Sequence, residues 1–307
     1  MNYPIVFLPG LFGSMGDDVI KGTGNFSFGP AGKIYVPFIE ILNSMGYIEG
    51  LNLFISHYDW KLPVLEAVDK YLLPDIEKVK RKLGTDKVII VTHSLGGLLG
   101  RAYMAYFSPF SVDKLIMIGT PNLGTVNAYY FWSGGKLPYS KVEDDALYNG
   151  LKMAFILYFK MFKDINHIEA LRNMFPVVKD LLPSYNYGNY IFYEENGNKI
   201  EIPIENMSAK NTFLNDLENR TLDLDKIFII SGSGVYTNKE ILVDINYSGK
   251  TKWKDGKPIK FYKTNYGDGT VTAISTLGYL GENNVVLKGN HTNILYKSRD
   301  YLAYILG

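Results

Sequence analysis

Val88-Ile89-Ile90-Val91-Thr92-His93-Ser94-Leu95-Gly96-Gly97-Leu98-Leu99-Gly100 is the stretch whose reading decides the fold. Four β-prone apolar residues run into a serine, and a helical pattern leaves it through small residues. At such a strand–serine–helix elbow the hydroxyl is presented on a sharp turn. Small residues two before and two after it keep side chains from clashing as the backbone folds back. Thr92 and Gly96 hold those places, Thr92 standing where glycine is usual. Gly97 and Gly100 let the following helix pack close to a sheet. The stretch nominates Ser94 as a nucleophile.

On both sides of the elbow, strand and helix patterns alternate as in a mostly parallel sheet covered on both faces. Strands are expected at 4–8, 52–57, 87–92, 114–119, 227–232 and 284–288, and helices at 36–45, 65–83, 95–107 and 292–306. Buried parallel strands read as continuous apolar runs, as do Val88–Val91, Leu115–Ile118 and Ile227–Ile230. There is no internal repeat and no low-complexity linker. The alternation breaks twice. Residues 125–225 turn helical and aromatic, and residues 239–266 turn hairpin-like around Ile241–Ile245 and Ile259–Tyr262. The expected organisation is a core of 1–124 and 226–307 with a helical cap or lid insertion at 125–225.

At 307 residues the chain is near the upper limit for one hydrophobic core, which fits one domain with an insertion. A net charge of +1, from 32 basic and 31 acidic residues, gives no reason to propose nucleic acid as a partner. The absence of cysteine excludes disulfides, thiolate metal sites and a cysteine nucleophile. A strand pattern begins almost at once, at Ile5, and no apolar run is long and unbroken enough to suggest a transmembrane segment. The expected compartment is the cytoplasm if the chain is complete and the exterior if a leader has been removed.

A serine nucleophile needs a base and an acid to orient it, each on a loop after a later strand. Four histidines are available, and His291 alone follows a strand pattern and a turn and precedes the last helix. A helix-capping surface role is its alternative. His93, beside the serine, must point the other way and packs under the elbow. His57 is a candidate to line the site, and His167, in the insertion, reads as a surface residue. For the acid, Gly267-Asp268-Gly269-Thr270-Val271 is a tight loop ahead of His291. Asp244 and Asp225 are the alternatives, neither on a glycine-flanked loop after a strand. The oxyanion needs two N–H donors, one from Leu95 and one from Pro9-Gly10-Leu11-Phe12-Gly13-Ser14, with Leu11 first and Phe12 second. A plain glycine turn would also explain that loop. Such a site needs neither a metal nor an organic cofactor.

Taken together, Pro9–Ser14, Tyr58-Asp59-Trp60-Lys61-Leu62, Thr92–Gly97, Gly119-Thr120-Pro121-Asn122-Leu123-Gly124 and Gly267–Val271 resemble the lecithin:cholesterol acyltransferase-like branch of the α/β-hydrolase lipases. The blocks stand in that family's order across nearly the whole chain. The resemblance implies an α/β-hydrolase fold, a Ser94–Asp268–His291 triad, an oxyanion hole from Leu11 and Leu95, and Asp59 and Trp60 near the acyl site. Lys61 stands where the family usually has arginine, Thr272 where it has proline, and the cysteines of secreted animal members are missing.

The insertion bears on substrate. Leu147–Phe162, with Phe155 and Phe159 among its apolar residues, is greasy over too much of its circumference for a solvated helix. Lys152 and Lys160 interrupt it. A lid over an acyl pocket, a core helix of the cap and a dimer interface are the three readings. The first makes Phe155 and Phe159 candidate substrate contacts, beside Phe12 and the Asp59 and Trp60 that the resemblance implies, and the partner a lipid or long-chain acyl ester, reached through contact of the cap with a lipid interface. The expected chemistry is carboxylic ester hydrolysis through an acyl-enzyme. Phospholipase A or lipid acyltransferase activity would use the same triad. A peptidase or thioesterase shares the chemistry, and a non-enzymatic lipid-binding module would not need the triad.

Overall fold

The apolar runs that bracket Ser94 pair side by side because residues buried on both faces satisfy their backbone groups only within a sheet. The structure, a computed structural model, describes residues 3–18, 21–136, 167–248 and 252–307. In chain order its strands are β1 (Ile5–Leu8), β2 (Met15–Asp18), β3 (Thr23–Ser27), β4 (Leu53–Ile55), β5 (Val88–His93) and β6 (Val112–Ile118). They continue with β7 (Ile191–Glu195), β8 (Asn198–Ile202), β9 (Ile227–Ser233), β10 (Thr237–Asp244), β11 (Lys257–Thr264) and β12 (Asn284–Lys288).

Contacts divide the chain into two units, one of 1–122, 216–237 and 265–307, the other of 123–215 and 238–264. The first holds a sheet in the order β12-β9-β6-β5-β1-β4, with every pair parallel. All six strands expected at the sheet positions are present in it, within two residues of their expected ends. Ile5, Phe7, Ile89, Val91 and Ile116 point to one face, packing with Phe38 and Leu42 of helix Gly32–Ser44 and Leu302 of helix Arg299–Leu306. The alternate residues Ile90, Thr92 and Leu115 point to the other face, where a Cβ on Gly100 of helix Leu95–Ala102 would meet all three. Helices therefore cover both faces of a parallel sheet.

The expected helix at 65–83 is real but irregular: Val64–Ala67 widens through Val68–Leu72 before Leu73–Leu83. Pro74, which has no N–H to give to the preceding turn, accounts for the break in regular bonding.

The second unit has its own sheet, in the order β11-β10-β7-β8. Two features differ from the sequence reading. The stretch 125–225 contains, besides helices Val126–Gly134 and His167–Met174, the antiparallel hairpin β7–β8. Its turn is Asn196-Gly197, with φ of 52° and 78°, the left-handed pair that a two-residue hairpin demands. Residues 238–264, expected within the core, group with this unit because β10 pairs in parallel with β7, Ile241 opposite Ile191 and Leu242 opposite Phe192. The apolar segment 147–162 and its Phe155 and Phe159 lie outside the described residues. No helix among the described residues is long and apolar enough to cross a membrane.

Candidate active site

Ser94 stands between β5 and helix Leu95–Ala102 with φ 53° and ψ −124°, a left-handed conformation that costs a non-glycine residue about 1–3 kcal/mol. Its surroundings hold it there. The Ser94 N–H donates to the Ile118 carbonyl at 2.8 Å, and its own carbonyl accepts from the Gly97 N–H at 3.0 Å. Close packing explains the small residues. A Cβ on Gly96 would lie 2.6 Å from the carbonyl oxygens of Leu8 and Pro9, and one on Gly97 would overlap the Thr120 side chain. Thr92, in the place where glycine is usual, is accommodated because its hydroxyl donates to the Ile116 carbonyl at 3.0 Å.

His291 leaves β12 through Gly289-Asn290, and Asp268 occupies the loop that the two glycines bend. The Ser94 Oγ lies 2.9 Å from His291 Nε2, and His291 Nδ1 lies 2.7 Å from Asp268 Oδ2. The His291 N–H also donates to the Asp268 carbonyl at 2.9 Å, so two contacts tie the two loops together. Asp268 is 1% exposed. Its other oxygen accepts from the N–H groups of Thr270 and Val271, both at 2.8 Å. Burial pushes the carboxyl pKa up, but the His291 ring and these donors outweigh it and hold Asp268 below its ordinary value. A carboxylate facing Nδ1 keeps the ring proton there, leaving Nε2 as an acceptor for the serine hydroxyl.

His93 is buried under the elbow, its Nδ1 2.9 Å from the Tyr35 hydroxyl and its Nε2 2.8 Å from the His291 carbonyl. Burial lowers its pKa to about 3, so it is neutral. His57 is 3.1 Å from Ser14 Oγ through Nδ1, and burial lowers its pKa to about 4. His167 is exposed at the start of its helix, in the second unit. Asp59 is buried and turned to Lys61, whose ammonium lies 2.7 Å from Oδ1. Trp60 packs instead on Phe12, ring centroids 4.5 Å apart, and Phe12, with φ 62°, is partly exposed.

Leu95 is the first residue of its helix, so its N–H has no acceptor within the helix. Leu11 lies inside the turn closed by the Gly13 N–H on the Gly10 carbonyl at 2.9 Å. Among the described residues, no group of three or more His, Asp or Glu side chains is placed to hold a metal ion. Tyr35 was not singled out by the sequence, where it stands just ahead of the helix expected at 36–45; the structure places it inside helix Gly32–Ser44.

The model of the family described as lecithin:cholesterol acyltransferase matches residues 25–227. The chain belongs to the lecithin:cholesterol acyltransferase family. Ser94 lies inside the matched span, and Asp268 and His291 lie beyond it. Among solved structures, the mature form of the lipase BlEst2 from Bacillus licheniformis is similar with a TM-score of 0.54 and 16% identity, over 99% of this chain and 92% of that one. A chain of the Tle4–Tli4 complex is similar with a TM-score of 0.59 and 12% identity, over 99% and 97%. At such identities these likenesses speak to the fold, which is that of an α/β-hydrolase. Comparison with curated proteins gives no match. Fold and family together place this member of the lecithin:cholesterol acyltransferase family among the α/β-hydrolase enzymes that act on carboxylic esters, as hydrolases or acyltransferases.

Proposed function

We propose that the protein is a serine hydrolase of lipid carboxylic esters, a lipase or carboxylesterase working through Ser94, His291 and Asp268. The observation that carries the reading is the unbroken hydrogen-bonded chain from Ser94 Oγ through the His291 ring to a buried, hydrogen-bonded carboxylate. As Ser94 Oγ attacks the ester carbonyl, its proton passes to His291 Nε2. Asp268 holds the tautomer and stabilises the imidazolium, and the Leu11 and Leu95 N–H groups, with Phe12 second to Leu11, receive the oxyanion. His291 then returns the proton to the departing alcohol. An acyl-serine remains. Water, deprotonated by the same nitrogen, attacks it, and collapse of the second tetrahedral species frees the acid and restores Ser94.

Phe12, within the proposed oxyanion loop, and Trp60, whose ring packs on it, support an apolar acyl group, as does the greasy run at 147–162 proposed as a lid. A second reading, acyl transfer to an alcohol, takes its support from the family to which the chain belongs. It differs only in what attacks the acyl-serine.

The test is hydrolysis of p-nitrophenyl esters from short to long acyl chains, wild type beside Ser94→Ala. Turnover rising toward long chains, lost by on the order of 10⁴-fold or more in the variant, is expected. Retained turnover in Ser94→Ala would falsify the assignment. Turnover confined to short chains would leave an esterase without a deep acyl pocket. Diversion of product from free acid to a new ester on adding an alcohol or lysolipid would establish transfer.

A further inference from the structure

An oxyanion hole acts through donors fixed in place before the reaction, so what holds the loop after β1 matters as much as which N–H it offers. Three hydrogen bonds converge on two successive peptides of that loop. The Tyr58 hydroxyl donates to the Pro9 carbonyl at 2.7 Å, and the Gly10 N–H donates to the Tyr35 hydroxyl at 2.8 Å. The Pro9–Gly10 peptide is thus gripped on both edges by side chains that are themselves buried. The next peptide is held by its oxygen, the Gly10 carbonyl accepting from the Gly13 N–H at 2.9 Å. In a planar trans peptide the N–H points opposite to the carbonyl, so fixing that oxygen fixes the direction of the Leu11 N–H. The Gly10 N–H, occupied by Tyr35, is not available to an oxyanion.

The grip continues into the rest of the site. Having accepted from Gly10, the Tyr35 hydroxyl has its single proton to donate to His93 Nδ1, 2.9 Å away. That leaves the ring proton of the neutral His93 on Nε2, which donates to the His291 carbonyl at 2.8 Å. Tyr35 itself sits in a hydrophobic setting beside Phe7 and Phe28 that keeps its ring in place.

We propose that Tyr35 and Tyr58 are positioning residues that preorganise the oxyanion loop, with Tyr35 and His93 linking that loop to the backbone of His291. The inference rests on the proposed function above and deepens it. Neither tyrosine touches the reacting atoms. Their contribution is to kcat: a loop left free to rotate still binds the acyl chain but meets the developing oxyanion with a misaligned N–H.

The experiment compares Tyr35→Phe, Tyr58→Phe and the double variant with wild type on one p-nitrophenyl ester. Rates are expressed per active serine, counted by exhaustive fluorophosphonate labelling, and a trifluoromethyl ketone serves as tetrahedral-adduct inhibitor. Each single variant is expected to lose about tenfold to a hundredfold in kcat, less than deletion of an oxyanion donor outright. KM should stay within about twofold, inhibition should weaken by the same factor as kcat, and the double variant should lose less than the product of the singles because both act on one peptide. Singles that keep kcat per labelled serine within about twofold of wild type would overturn the proposal, as would a loss appearing wholly as fewer labelled serines. Failure of the underlying reading looks different: Ser94→Ala would then retain both turnover and labelling.

Discussion

Asp268 divides its two oxygens between two tasks, and that division makes a sharp prediction at the scale of a residue. Oδ1 accepts from the Thr270 and Val271 N–H groups while Oδ2 faces His291 Nδ1. In Asp268→Asn the amide oxygen must stay with the two backbone donors, which turns the NH2 toward Nδ1. The ring then carries its proton on Nε2 and cannot take one from Ser94. A fall in kcat of about 10⁴-fold with the fold intact is expected, read by ester hydrolysis and circular dichroism. A fall of less than tenfold would mean that Asp268 does not set the tautomer. The residue types and their order along the chain were legible in the sequence, because an elbow and a glycine-flanked loop are local patterns. Tyr35 and the buried orientation of Asp59 toward Lys61 were legible only in part or not at all, since each depends on partners supplied by the fold.

Two glycines separate the causes of constraint at the scale of an element. Gly96 has an ordinary φ but no room, because its added Cβ would press on the Leu8 and Pro9 carbonyls of the loop leaving β1. Gly197 has φ 78° and open space around it. Gly96→Ala should cost about 1–3 kcal/mol through overpacking and should also lower kcat by displacing the β1 loop. Gly197→Ala should cost about 1–2 kcal/mol through backbone strain alone, leaving kcat unchanged. Urea denaturation beside ester hydrolysis checks both, and equal effects on kcat would contradict the distinction. The sheet strands were readable because burial on both faces leaves continuous apolar runs. Hairpin β7–β8 is faint in the sequence although Asn196-Gly197 marks its turn: its strands, Ile-Phe-Tyr-Glu-Glu and Asn-Lys-Ile-Glu-Ile, are short, polar at the turn end and set within an aromatic and helical pattern.

Across the whole molecule, the near balance of acidic and basic residues leaves buried titratable groups to govern stability against pH. His93 and His57 have pKa values lowered by burial to about 3 and about 4, from 6.5. Between those values and 6.5 the unfolded chain binds protons that the folded chain refuses, so stability falls as pH is lowered through that window. Asp268, lowered from 3.8, acts in the same sense: its contribution is present above 3.8 and lost as pH falls through its folded value. The urea midpoint should therefore decline from pH 6.5 to 4, and His57→Gln should flatten part of the decline. A midpoint independent of pH over that range would show that neither ring is held neutral by the fold. By itself the sequence determined the alternation of strands and helices, the elbow at Ser94 and the presence, in order, of an acid and a base after it. Periodicity and turn chemistry act between near neighbours, and one chain suffices to read them. Only the tertiary structure decided the strand order, the grouping of 238–264 with β7 and β8, and the approach of His291 to Ser94 across 197 positions. It alone also decided the grip of Tyr35 and Tyr58 on the loop after β1. Those contacts depend on register between distant strands and on which buried donor meets which acceptor, and no local pattern encodes either.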